Sequence, residues 1–263
     1  MKPYKFFRFS IEPSAWLPHL TIVIAMVGIG SDDSYATAPN IVFILADDMG
    51  WTGTSVQMDP LIPGSKSDYY QTPRLEQMAA AGMRFSQGYA ASPICATTRA
   101  AIVTGRSNAA LQMGDLPHAL PEGSTRWVGA YEDHVLTPPT PEVFDPTGLT
   151  LPRMMKQVNP SYVTAHYGKW HLDVPPATTA QTAGYDFAGE LNPLPPDEVD
   201  PWGVFALAGI ANSFMQDRVN SNQPFFLQVS EKSVHNPVRS RQAIRDKYAA
   251  LPKGAIHKDP AFA

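Results

Sequence analysis

Asn40-Ile-Val-Phe-Ile-Leu-Ala46, followed at once by Asp47 and Asp48, decides the fold. A short run this apolar and rich in β-branched residues predicts a strand covered on both faces, as in a parallel sheet. Its end places two carboxylates at the carboxyl edge of a strand, where open α/β sheets gather their reactive groups. The pattern recurs twice. Tyr162 to Tyr167 runs into Gly168-Lys169-Trp170-His171, and Phe225 to Val229 runs into Ser230-Glu231-Lys232-Ser233-Val234-His235.

Helical signals lie between these runs. Thr72-Pro73 is a hydroxyl cap followed by proline at the first helical position; Leu75, Met78 and Ala79 continue the spacing until Gly82 stops it. Met83 to Phe85 reads as a short strand. Helices are expected from Thr97 to Thr104 (ended by Gly105), Leu151 to Val158, Gly203 to about Val219, and about Ser240 to Ala250. Asn108 to Thr150 has many prolines and no sustained period, so it reads as a long irregular excursion, and Asn192 to Pro201 as a proline-rich connector. Such segments often shape pockets, and pocket residues are expected there and around Thr178 to Pro201. Strands alternating with helices give an α/β fold with a largely parallel central sheet flanked by helices.

Composition narrows the class. The 263 residues carry 20 Lys and Arg against 24 Asp and Glu, a net charge of −4, which argues against nucleic acid as a partner. With 44% hydrophobic and only 17% charged residues, disorder is not expected. One cysteine makes neither an internal disulfide nor a multi-cysteine zinc site. It is a buried small hydrophobe, a bystander or a reactive centre. At the start, Lys2, Lys5 and Arg8 precede an apolar segment, Leu17 to Gly30, and Ala36-Thr37-Ala38 is an Ala-x-Ala cleavage site. Residues 1–38 therefore read as a secretory signal, with the mature chain starting near Pro39, exported to a periplasm or the extracellular space, and with no stable membrane insertion after cleavage.

Several groups offer chemistry, each with a plainer alternative. Adjacent carboxylates repel unless a cation neutralises them, so Asp47 and Asp48 suit a hard divalent ion such as Ca²⁺ or Mg²⁺, or simply cap a turn. Cys95 precedes a helix whose amino end favours anions, with Arg99 one turn on; it is a nucleophile or a packed residue. Lys169 and His171, two apart, share a face if the segment is extended, and present a cation and a proton donor to one anion or form a solvated turn. His235 is functional or structural.

Taken together and in order, these segments resemble the sulfatase family of the alkaline phosphatase-like superfamily. The resemblance rests on Pro39 to Trp51, Thr72 to Ala79, Cys95 to Arg106 (Cys-Ala-Thr-Thr-Arg-Ala-Ala-Ile-Val-Thr-Gly-Arg), Gly168 to Leu172 (Gly-Lys-Trp-His-Leu), and Pro-Phe-Phe-Leu with His235-Asn-Pro behind it. It implies a sulfuric ester hydrolase acting on a sulfated small molecule or glycan. Asp47 and Asp48 would be Ca²⁺ ligands. Cys95 would be oxidised by a maturation enzyme to formylglycine, whose hydrate is the nucleophile and also meets the metal. Arg99 would hold that hydrate, Lys169 would bind sulfate oxygens, His171 would hydrogen-bond the formylglycine, and His235 would protonate the leaving oxygen. A phosphodiesterase or phosphonate monoester hydrolase of the same superfamily, and an inactive remnant, are the competing readings.

Two departures from the family pattern carry expectations. Thr97 stands where the maturation signal usually has proline or alanine. No Asp-Asn pair follows His235, although family members use a later one to complete the Ca²⁺ site and a further lysine on the sulfate. The expectation is a catalytic domain truncated after its N-terminal part, residues 39–263, with the apolar runs near Ile41 and Phe225 left uncovered, poor solubility and weak metal affinity.

Overall fold

The computed structural model describes residues 38–113, 125–128, 131–136, 145–172, 179–189 and 199–262. Of the expected signal, only Ala38 falls within them, partly buried against the core. Of the expected pocket residues, 178, 190 to 198 and most of 114 to 144 lie outside.

Four parallel strands form the sheet: β1 (Ile41–Ala46), β4 (Val163–Gly168), β5 (Phe187–Gly189) and β6 (Phe225–Glu231), in the order β1-β6-β4-β5. Val42 and Ala165 both lie beside Leu227, so the carboxyl ends of β1, β4 and β6 come into line. β6 is central and buried along nearly its whole length. The parallel step from β4 to β6 is made through β5 and the long helix α5 (Val204–Asn220).

Each face of the sheet has its own core. Leu207, Ala211 and Phe214 of α5 pack on Ala165, Phe225, Leu227 and Val229. Phe214 meets Tyr167, Phe187 and Phe225 edge to face, with centroids 5.7 to 5.9 Å apart, so aromatic geometry adds to area burial. On the opposite face, Ala96, Ala100 and Val103 of α2 (Cys95–Thr104) pack with Phe226, Tyr162, Trp170 and Tyr185; Leu151 and Met155 of α4 (Leu151–Val158) border this cluster. Fully burying a side chain such as Leu227 contributes about 1.5–3 kcal/mol. Within this second layer Gln228 accepts a hydrogen bond from the Tyr185 hydroxyl at 2.7 Å, and Ser230 Oγ lies 3.1 Å from His166 Nε2. Buried polar groups are tolerated here because they satisfy one another.

Several expectations need correction. β1 is an edge strand with only one face covered: Ile41 and Phe43 pack on the α2 side, while Val42 and Ile44 are 43% and 58% exposed because α5 lies over β4 and β6 instead. By contrast Phe225 and Phe226 are buried, so the second apolar run is not uncovered. Met83 to Phe85 forms no strand; it follows α1 (Pro73–Ala81) as an exposed, unpaired segment, and without a partner an apolar triplet has no ladder to join. The excursion after Asn108 holds one helical turn, α3 (Asn108–Leu111), and an antiparallel hairpin, β2 (Thr125–Val128) with β3 (Tyr131–Leu136). The last helix, α6 (Gln242–Ala249), is slightly shorter than expected.

Candidate active site

The carboxyl ends of the aligned strands bring all seven candidate residues into one region. Asp47 follows β1 directly; its backbone N–H donates to Glu231 O on β6, which ties the two strand ends together. Its carboxylate is 5% exposed and holds two cations: Arg99 of α2 through Nη2, and Lys169 after β4 through Nζ at 2.5 Å. The neutralising charges around Asp47 are thus a guanidinium and an ammonium. Burial alone would raise this carboxyl, but Arg99 and Lys169 outweigh it and hold it below the ordinary carboxylate value. Asp48 behaves differently. It sits in the left-handed region (φ 56°), its side chain is about half exposed, and its Oδ2 lies 3.8 Å from His235 Nε2. An aspartate tolerates that backbone conformation better than most residues, and such outliers cluster at functional sites.

Cys95 is the first residue of α2 rather than the residue before it, and its Sγ is 3.1 Å from His171 Nδ1. Arg99, one turn further, is 2% exposed; besides Asp47 it bonds the carbonyl of Lys169, while its buried Nε has no hydrogen-bond partner. A buried N–H facing no acceptor is costly and is the kind of group an anionic oxygen satisfies. The segment after β4 is not extended: His171 adopts φ 57°, so Lys169 turns to Asp47 and His171 to Cys95. Both still converge on the site. Gly168 makes this possible, since it has φ 96° and a Cβ there would collide with the Ser230 carbonyl that accepts the Lys169 N–H.

Burial, then Lys169 and Arg99, push His171 down to about 4, so it is neutral at pH 7. His235 Nδ1 lies 2.6 Å from the Asn236 carbonyl oxygen. A carbonyl cannot donate, so Nδ1 carries the hydrogen and Nε2 is protonated only in the imidazolium form. A cavity of about 330 Å³ opens on Asp47, Asp48, Cys95 and Arg99, walled by Ser92, Pro93 and Thr98. Thr97 is fully buried and its hydroxyl donates to Ile94 O at 2.9 Å; it lies in the first turn, where backbone N–H groups lack intrahelical partners and proline or alanine is also accommodated.

Sequence reasoning missed two features near the site. His166, on β4, lies in the buried layer beneath it and is pushed down to about 3 by burial and by Arg99. Trp202, which carries two cations, gave no periodic or motif signal; only its aromatic identity between Pro201 and Gly203 marked it.

The donor chemistry bears on a hard divalent cation. Ca²⁺ takes six to eight oxygens; Asp47 and Asp48 supply carboxylate oxygens, and among the described residues no cluster of three or more His, Cys, Asp or Glu surrounds them. They fit as part of an oxygen set, not as the whole of it.

A parallel α/β sheet with an acid pair, a cysteine at a helix amino end and four basic side chains at its carboxyl edge makes a site suited to an anion. The sulfatase family model matches residues 39–253, and the chain belongs to the sulfatase family. It is 34% identical over 168 residues to N-acetylgalactosamine-6-sulfatase of Sus scrofa, covering 64% of this chain and 28% of that protein. Arylsulfatase A of Homo sapiens is 28% identical over 262 residues, covering 83% and 46%. Among solved structures, Ps i-CgsB superposes with a TM-score of 0.61 at 20% identity, covering 86% of this chain and 51% of that one. BT4656, solved with its substrate D-glucosamine-2-N,6-O-disulfate, gives a TM-score of 0.56 at 22% identity, covering 83% and 39%. The chain therefore spans between about a quarter and a half of the length of these relatives.

Proposed function

We propose that this chain carries the catalytic groups of a sulfuric ester hydrolase acting on a sulfated carbohydrate. The observation behind this reading is Cys95 Sγ held at the amino end of α2, 3.1 Å from His171, with the buried Arg99 on the same helix presenting an unsatisfied Nε. In this reading Cys95 is converted by a maturation enzyme to formylglycine. One hydroxyl of its hydrate gives up its proton to solvent and attacks sulfur in line as the bond from sulfur to the alcohol oxygen breaks, and that oxygen takes the proton of His235 Nε2. The second hydroxyl then loses its proton, the carbonyl reforms, and sulfate leaves. Neutral His171 is suited to accept that proton. Arg99 and Lys169 stabilise the charge that spreads over the sulfate oxygens.

Asp47 and Asp48 would hold Ca²⁺, or Mg²⁺. Such an ion supplies charge neutralisation at the sulfate and lowers the hydrate pKa. Support for a glycan substrate comes from relatives: one structural neighbour was solved with a glucosamine disulfate and another with k-i-k-neocarrahexaose. Residues 1–38 act as a secretory signal in this account, residues 39–263 being catalytic-domain sequence, and no helix among the described residues is long and apolar enough to cross a membrane. Turnover of an aryl sulfate against an aryl phosphate diester tests the proposal. A preference for the sulfate is expected, and faster cleavage of the diester would assign the site to phosphoryl chemistry instead.

A further inference from the structure

The segment that carries His235 also carries cations that the chemistry above does not use. The His235 N–H donates to Lys232 O, closing a turn, and the chain then folds back so that Trp202 Nε1 donates to Pro237 O at 3.2 Å. Lys232 Nζ and the Arg239 guanidinium both lie on the Trp202 ring, 4.1 and 4.5 Å from its centroid. Arg241 lies 3.6 Å from the centroid of Phe205 and donates to Val199 O. All three are half-buried rather than free in solvent. Stacking on an aromatic face holds a cation in place without cancelling its charge.

Among the described residues none of the three forms an ion pair with a carboxylate. Asp200 accepts the N–H groups of Phe205 and Ala206 at the start of α5. Lys232, Arg239 and Arg241 thus gather three positive charges on the segment that carries His235. His235 is the residue assigned to the leaving alcohol, and Lys232 and Arg239 flank it in the chain, three residues before it and four after.

We propose that Lys232 and Arg239, held on Trp202, form a subsite for a second anionic group of the substrate, a sulfate or carboxylate on the sugar unit that leaves or on its neighbour. The substrate class is then a multiply charged glycan rather than a singly sulfated neutral one. This rests on the sulfate-ester reading and refines it.

The test is calorimetric titration of the Cys95→Ala chain, which cannot turn substrate over, with a monosulfated and a disulfated form of one disaccharide at low ionic strength. The disulfated form is expected to bind about tenfold more tightly, as one charge-assisted contact implies. The Lys232→Gln/Arg239→Gln double variant, which keeps most of both side-chain stems, is expected to erase that difference while leaving the monosulfated sugar within about twofold. Equal affinities for the two sugars, or a difference that survives in the double variant, would overturn the subsite alone. Failure of both sugars to bind would overturn the sulfate-ester reading and the subsite with it.

Discussion

Asp47→Asn keeps the size of a buried side chain and removes its charge. In the folded chain that charge is shared by Arg99, 2% exposed, and Lys169, 10% exposed. Without it a guanidinium and an ammonium face each other with no anion between them. Two unit charges about 5 Å apart at an effective dielectric of about 20 repel by roughly 3 kcal/mol, and removing one partner of a buried pair costs about 3–5 kcal/mol. A loss of about 4 kcal/mol is expected, or about 8–16 °C in Tm at about 2–4 °C per kcal/mol for a chain of this size. Urea unfolding at pH 7 measures it. The pH dependence supplies a second check. Because the Asp47 carboxyl is held below its ordinary value of 3.8, its contribution is complete above that value and disappears as pH falls through the lower folded-state value. The Asn variant therefore loses this acid-side contribution, and its difference from wild type narrows below pH 4. A difference under about 1 kcal/mol at pH 7, or one that does not narrow in acid, would refute the buried two-cation pairing.

Further consequences concern the surrounding frame. His166 and His171 are pushed down to about 3 and about 4, below the ordinary 6.5, so the folded chain binds fewer protons than the unfolded one; stability is complete above pH 6.5 and falls toward pH 4, by up to about 1.4 kcal/mol per pH unit for each histidine. Urea midpoints between pH 7 and 4.5 should show this slope, and His166→Gln should flatten it. Thr97→Ala removes the hydrogen bond to Ile94 O and should cost only about 1 kcal/mol, while the converted fraction of Cys95 stays equal or rises, as peptide mass spectrometry would record. Gly168→Ala forces a Cβ toward the Ser230 carbonyl at a positive φ, and should displace Lys169 and lower sulfate turnover more than tenfold, read as kcat/KM on an aryl sulfate.

Much of the site was legible because its residues follow strands. Asp47, Lys169 and His235 each come shortly after an apolar run, so predicting the strands and their parallel sense also predicts that these groups meet. The contacts within the cluster were not legible. That Asp47 takes Arg99 and Lys169 while Asp48 turns outward depends on one left-handed residue, and a second one at His171 undoes the extended spacing that would have paired its side chain with Lys169. The one-sided burial of β1 was hidden for a related reason: Ile41 and Val42 are equally apolar, and only the sheet order and the placement of α5 over β4 and β6 decide which is covered. β5 and the hairpin of β2 and β3 were too short, or too mixed in composition, to show a period. The Trp202 cluster joins side chains thirty and more positions apart, a contact that no local pattern encodes.

The most direct measurement is the chemical state of residue 95 in a preparation that hydrolyses an aryl sulfate. Peptide mass spectrometry is expected to find an aldehyde in place of the thiol at Cys95, in a fraction that rises and falls with the specific activity. An active preparation in which Cys95 remains entirely a thiol would contradict the account.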